Sequence, residues 1–211
     1  MKKLTAFILI AVMIFAFASC AEGKPAETKE LTPPPETQKT FDVTQKEIIN
    51  VRITLEDGRI MEAELYPQIA PITVQNFVDL CTSGFYDGIT FHRIVAGFVI
   101  QAGDPTATGL GGSEKTIKGE FSENGFKNDL SHSKGVLSMA RKSSDMDSAT
   151  SQFFIVLSND KKDSLDGKYA AFGKLTSGYN VLASIGSVQT DPSNDKPLED
   201  VIINNIRVIG D

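Results

Sequence analysis

The stretch FHRIVAGFVIQAGD, Phe91 to Asp104, holds two side chains at odds with their neighbours. Most of it is apolar and β-branched or aromatic, the composition of a half-buried strand. Arg93 and Gln101 interrupt it, one on each side of Ala96-Gly97. A guanidinium is planar, always charged and presents five donors in a fixed fork, and a carboxamide both donates and accepts. Such a pair can act on a partner by hydrogen bonding.

Other chemistries find less support. Metal catalysis wants three or more clustered ligands. The chain has two histidines, His92 and His132, with no ligand spacing between them, so no metal and no cofactor is expected. Both read as packed or hydrogen-bonded structural residues. GDPTATGLGGSEK is glycine-rich but lacks the Gly-Lys-Ser/Thr ending of a phosphate-binding loop, and reads as an ordered surface loop. No nucleophile-elbow pattern is present, and neither histidine has a suggestive partner for activating a Ser or Cys. Any catalysis here would work by binding and hydrogen bonding, with no covalent step.

The elements that must carry these residues are mostly strands. In INVRITLEDGRIMEAELY, Val51, Ile53 and Leu55 alternate with polar residues, and Met61, Ala63 and Leu65 share a face. Asp57-Gly58 between them is a hairpin signal. In APITVQNFVDLCTSGFY, Pro71 suits a first helical turn and Gly84 a stop. Val74, Phe77, Val78 and Cys81 then form one apolar stripe, which makes Cys81 a core residue. Further strand-like runs are TFHRIV, GFVIQAG, GVLSMAR, SQFFIVLS, YAAFGKL and VIINNIRVI, and SGYNVLASI offers a second, short helix. Many short strands with two helices predict a mainly β barrel or sandwich.

The folded domain is expected over residues 47–211. Before it, MKK and the apolar run LTAFILIAVMIFAFA have the layout of a secretory signal over residues 1–19. The run is short for a membrane-spanning helix, which needs about 20 residues. FASC then resembles the lipobox of bacterial lipoproteins, with Phe17 in place of the usual Leu, which makes Cys20 a lipidation site. Residues 20–46 are rich in Pro, Glu, Thr and Lys, and hold four of the nine prolines. They cannot bury a core and read as a disordered tether, with about 26 residues reaching about 25–31 Å on average. The expected location is extracytoplasmic, lipid-anchored to the cell membrane. Without the first nineteen residues, which carry two lysines and no acids, the formal charge falls from −6 to −8. An acidic chain of this kind is a poor match for nucleic acid.

Four blocks, FHRIVAGFVIQAGD, GVLSMAR, SQFFIVL and LDGKYAAFGKL, resemble in order and spacing the signature blocks of cyclophilin-type peptidyl-prolyl cis-trans isomerases. The resemblance runs from about Ile48 to Val208. It implies an eight-stranded antiparallel barrel capped by two α-helices, with the active site on the outer face. It also implies catalysis of X-Pro bond rotation, without cofactor or metal, in proline-containing peptides and unfolded exported proteins. The barrier to that rotation is about 18–20 kcal/mol. Uncatalysed turnover takes tens to hundreds of seconds. Reaching milliseconds needs roughly a 10⁴–10⁵-fold gain, about 5.5–7 kcal/mol. One charge-assisted hydrogen bond contributes about 1.5–3 kcal/mol, so a pocket fitted to the twisted amide must supply the rest.

By resemblance, Arg93 is the catalytic residue and donates to the prolyl nitrogen as that atom pyramidalises. Gln101 holds the carbonyl oxygen of the preceding residue, and Gln152 helps to orient the arginine. Phe98, Val99, Phe154 and Leu165 wall the proline pocket, with Tyr169 at its rim. The backbone of Ala140 and Arg141 pairs with the extended peptide. Compared with the best-known eukaryotic members, Val99 replaces Met, Ala96 replaces Pro, Tyr169 replaces His and Arg141 replaces Asn. The last change is expected to matter little if only the backbone binds. The competing function is a non-catalytic peptide-binding or chaperone/scaffold module, and a small barrel on a tether suits a monomer.

The lipid anchor is directly testable. Cys20→Ala is expected to release the protein from the membrane fraction, and a variant that still sediments with membranes refutes the anchor.

Overall fold

The computed structural model describes residues 42–210. Cys20, the expected signal over 1–19 and nearly all of the expected tether lie outside the described residues. The folded body takes in the last residues of the segment assigned to that tether. A short 3-10 turn at Val43–Gln45 buries Val43 completely, and its N–H donates to Gln75 Oε1 at 3.2 Å.

Eight strands follow: β1 (Ile49–Leu55), β2 (Ile60–Leu65), β3 (Arg93–Val95), β4 (Val99–Ala102), β5 (Val136–Met139), β6 (Phe153–Val156), β7 (Ala171–Ser177) and β8 (Ile203–Ile209). They form one sheet in the order β3-β4-β6-β5-β7-β2-β1-β8, with every pairing antiparallel. The two ends of the sheet meet where the residues before β3 run beside the start of β8. Gly88 N–H donates to the Ile203 carbonyl at 2.8 Å, Ile203 N–H returns to Ile89 at 2.8 Å, and Phe91 N–H reaches Val201 at 2.9 Å. The expected antiparallel eight-stranded architecture is the observed one.

The Asp57-Gly58 hairpin forms as its sequence dictates. Gly58 takes a φ of +85°, and its N–H donates to the Leu55 carbonyl at 3.0 Å. The inward residues of β1 and β2 are buried in alternation. Two helices appear where expected, α1 (Pro71–Thr82) and α3 (Tyr179–Ile185). Between them in sequence lies a third, the single turn α2 (Lys162–Leu165), too short to leave a periodic pattern. Within the core, Phe77 of α1 packs among Tyr86, Phe153 and Phe172, with ring centroids 5.0–5.3 Å apart. Cys81 is free and fully buried, and that burial pushes its thiol well above its ordinary pKa. Among the described residues no helix is long and apolar enough to cross a membrane.

Helix α1 starts without a local cap, since Ala70 occupies that position. The cap comes from afar. The carboxylate of Glu120, fully buried, accepts the N–H of Ile72 at 3.0 Å and that of Thr73 at 2.8 Å. Two orphan donors and the positive end of the helix are satisfied by one side chain. Removing it leaves buried donors without partners, at a cost of about 2–4 kcal/mol. Glu120→Ala is therefore expected to lower the unfolding midpoint by about 5–15 °C in calorimetry; a shift within a degree or two contradicts this role.

Candidate active site

The residues singled out by chemistry fall on one row across the sheet. Arg93 of β3 pairs with Gln101 of β4, Gln101 with Phe154 of β6, and Phe154 with Ser138 of β5. Cross-strand partners project to the same side, so guanidinium, amide and phenyl ring line up on the outer face. The turn Ala96-Gly97 between β3 and β4 allows this, with Gly97 at a φ of +69° and Phe98 N–H donating to Val95 at 2.9 Å.

The outer face here is apolar as well as polar. Val99, Val136, Phe154, Val156, Leu165 and Ala171 form a cluster separate from the main core, with Phe98, Leu130, Ala140 and Tyr169 packed on it. All four pocket-wall candidates, Phe98, Val99, Phe154 and Leu165, belong to it. Tyr169 meets Phe154 edge-on, with centroids 5.7 Å apart. The structure thus gathers the expected wall and rim residues around one ring.

Polar contacts lock the row. Arg93 Nη1 lies 3.4 Å from Gln101 Oε1, and Gln101 Nε2 donates to Gln152 Oε1 at 2.8 Å. Gln152 Nε2 in turn donates to the carbonyls of Gly109 at 3.0 Å and Gly111 at 2.7 Å. Gln152 therefore reaches the arginine through Gln101. The amide nitrogen of Gln101 carries two hydrogens, so one remains for an incoming acceptor. The loop that anchors Gln152 is itself wound around Asp104. That carboxylate accepts N–H groups from Thr106, Thr108, Gly109 and Gly111 and the hydroxyls of Thr106 and Thr108. Its burial alone would raise its pKa, but these bonds prevail and hold it at about 2. A cavity of about 430 Å³ opens beside this relay, from Gln101 and Gln152 to Ala140, Arg141 and Lys142. A larger cavity of about 710 Å³ lies apart from the row, lined by Glu56, Asp57, Arg59 and Glu199 among others.

Sequence reasoning missed Asp195. Its carboxylate lies 3.4 Å from Arg93 Nη2, and its backbone carbonyl accepts Ile94 N–H at 2.8 Å. Asp195 has a φ of +62°, which aspartate tolerates better than most residues. Both partners of the ion pair are about 40% exposed (39% and 40%), so it adds at most about 1 kcal/mol to stability. Its consequence is geometric: the fork of Arg93 is held between Gln101 and Asp195. Nothing in the polar stretch DPSNDK marks Asp195 as the partner.

The backbone of Ala140 is half engaged, since its N–H donates to the Gln152 carbonyl at 2.9 Å. The carbonyl of Ala140 and the N–H of Arg141 have no partner among the described residues and are the groups free to pair with a strand. The side chain of Arg141 is engaged within the protein. Its guanidinium stacks over the rings of Phe121 and Tyr169 and donates to three backbone carbonyls. Among the described residues, no group of three or more His, Cys, Asp or Glu side chains is gathered to hold a metal ion.

Beneath Phe154 lies His132, its ring stacked at 6.0 Å and nearly fully buried. Nδ1 is 2.7 Å from Asp166 Oδ1 and Nε2 is 2.9 Å from Ser138 Oγ. The Ser-His-Asp set is not a nucleophile, because Ser138 is fully buried. It is a tie. Asp166 follows Leu165 directly and also accepts His132 N–H and the Ser131 hydroxyl at 2.7 Å each, which fixes the turn bearing Leu165. Burial lowers the pKa of His132, against the opposing pull of Asp166.

Residues 50–208 match the family model of the cyclophilin type peptidyl-prolyl cis-trans isomerase/CLD. The chain is 44% identical over 151 residues to the peptidyl-prolyl cis-trans isomerase ppi1 of Schizosaccharomyces pombe, covering 71% of this chain and 92% of that protein. It is 49% identical over 133 residues to the peptidyl-prolyl cis-trans isomerase B of Bacillus subtilis, covering 63% and 87%. A cyclophilin type peptidyl-prolyl cis-trans isomerase of Cryptosporidium parvum, solved in the presence of the dipeptide Ala-Pro, superposes with a TM-score of 0.69 at 34% identity, over 77% of this chain and 99% of that one.

The His132 tie carries a pH dependence of definite sign. An unfolded chain protonates this histidine near pH 6.5, whereas the folded chain resists until lower pH. Its contribution is complete above about pH 6.5 and is lost as pH falls through the folded value. The unfolding midpoint is expected to drop between pH 7 and 5, with the His132 ring titrating below 6.5 by NMR; a ring titrating above 6.5 contradicts the assignment.

Proposed function

The chain belongs to the cyclophilin-type peptidyl-prolyl cis-trans isomerase family, and from that premise we propose that it rotates X-Pro bonds of exported proteins at a membrane surface, with Arg93 as the catalytic donor. It is a peptidyl-prolyl isomerase. The observation that carries the site reading is the cross-strand row Arg93–Gln101–Phe154. It sets a charged fork and a free amide hydrogen beside an apolar cluster able to take a proline ring.

In this reading a proline ring rests on Phe154 between Phe98, Val99 and Leu165, with Tyr169 at the edge. The residue before it lies along the Ala140–Arg141 backbone as an added strand. Gln101 donates its spare hydrogen to the carbonyl oxygen of that residue and holds it still. Rotation then proceeds about the C–N bond. As conjugation is lost, the prolyl nitrogen becomes pyramidal and gains a lone pair. Arg93 donates to that lone pair, an interaction absent from either planar isomer, and so stabilises the twisted state selectively. Asp195 and Gln101 hold the fork in advance, so little reorganisation remains. No proton is transferred and no covalent bond is made or broken.

The membrane location rests on the N-terminal sequence. A basic start, an apolar run and Cys20 support a lipid anchor, and the Pro-rich segment after it supports a tether of about 25–31 Å. Exported chains emerging at that surface are the clients. A small barrel on a tether suits a monomer.

A protease-coupled or NMR exchange assay on an Ala-Pro peptide tests the catalytic assignment. Arg93→Ala is expected to lower kcat/KM by about 10- to 150-fold, the worth of one charge-assisted hydrogen bond, with the fold unchanged by circular dichroism. Equal rates for wild type and variant would remove Arg93 from the mechanism.

A further inference from the structure

Two positions where this chain departs from the best-known eukaryotic members, Arg141 and Tyr169, touch each other. The guanidinium carbon of Arg141 lies over two aromatic rings, 5.0 Å from the Tyr169 centroid and 5.1 Å from that of Phe121. Its Nε donates to the Lys168 carbonyl at 3.0 Å, and Nη1 donates to those of Lys142 at 3.0 Å and Ser143 at 3.4 Å. One side chain thus joins the exit of β5 to the turn that follows α2.

That turn carries two members of the proposed pocket. Lys168 and Tyr169 both donate their N–H groups to the Leu165 carbonyl, at 3.0 and 3.2 Å. The base of the turn is fixed by Asp166 through Ser131 and His132. The ring of Tyr169 is not fixed by that tie. Its hydroxyl makes no hydrogen bond among the described residues, and the ring is half-buried. What orients it is the edge contact with Phe154 on one side and the Arg141 guanidinium on the other.

We propose that the Arg141 side chain is a positioning residue for the proline pocket: it clamps Tyr169 against Phe154 and so sets how tightly an X-Pro segment is held. The role needs a planar fork that can stack and donate sideways at once. Arginine has that shape and lysine does not. Arg141 does not touch the rotating bond, so its side chain acts on affinity and leaves the rotation step alone. The inference rests on the site reading given under Proposed function and names a specificity-setting contact of that same site.

The test is a double-mutant cycle read by NMR with an Ala-Pro peptide, which gives Kd and the on-enzyme exchange rate at saturation separately. Arg141→Ala is expected to raise Kd about three- to tenfold, the size of a cation–π contact at a partly exposed site. The exchange rate at saturation is expected to stay within about twofold. Arg141→Met, which keeps the aliphatic stem and its packing, is expected to show the same loss. In a Tyr169→Ala background, removing Arg141 is expected to add nothing, because the clamp has lost its object. An undiminished loss in that background overturns the proposal, as does an unchanged Kd in Arg141→Ala or Arg141→Met. Failure of the underlying reading looks different: the wild-type protein would then show no perturbation of Phe154 when peptide is added.

Discussion

The pairing register of three short strands is the constraint on which the site depends. Arg93 opposes Gln101, and Gln101 opposes Phe154. Because side chains alternate across a strand, a slip of one residue in either pairing would turn one of the three into the core. The register is secured from both sides of the sheet. Inward, Ile94, Ile100, Phe153 and Ile155 are fully buried in the main core. Outward, Val99, Phe154 and Val156 join the second cluster. Strands buried on both faces have no freedom to slide, and the guanidinium inherits that rigidity.

The polar half of the site is held by a chain of contacts whose far end is a buried anion. Asp104 winds the glycine-rich loop, the loop carbonyls hold Gln152, Gln152 holds Gln101, and Gln101 with Asp195 brackets Arg93. None of these links is strong alone. Together they leave the fork few orientations, which suits a reaction with no covalent step, where preorganised charge and shape must supply the whole effect. The apolar half is held in a similar way, with Asp166 and His132 under Leu165 and Phe154. Both halves are positioned by carboxylates at partial or full burial that make no contact with the proposed substrate path.

Much of this was legible in the sequence, and the exceptions have physical causes. The β1–β2 hairpin and the stripe of α1 obey local rules, alternation and a period near 3.6, and appear where those rules put them. GVLSMAR and SQFFIVLS were legible as strands but not by face, because burial on both sides erases alternation. Only the resemblance to a family separated Phe154 from Phe153. Glu120 and Asp195 were invisible because each acts across a long stretch of chain, 47 or more residues for the helix cap. The contacts of the Arg141 side chain were not legible because its backbone position carries no hint of the two rings that side chain meets. The 3-10 turn at Val43–Gln45 was not legible, since one buried valine leaves no pattern in a Pro- and Thr-rich segment.

The central claim is that one outward row delivers both the hydrogen bonds and the pocket. A structure of the chain bound to an Ala-Pro peptide tests it most directly. The account predicts the proline ring against Phe154 and Leu165, the preceding carbonyl oxygen within hydrogen-bond reach of Gln101 Nε2, and the Arg93 fork facing the prolyl nitrogen. A peptide seated elsewhere, or one bound there with the guanidinium turned away from the X-Pro bond, would contradict it.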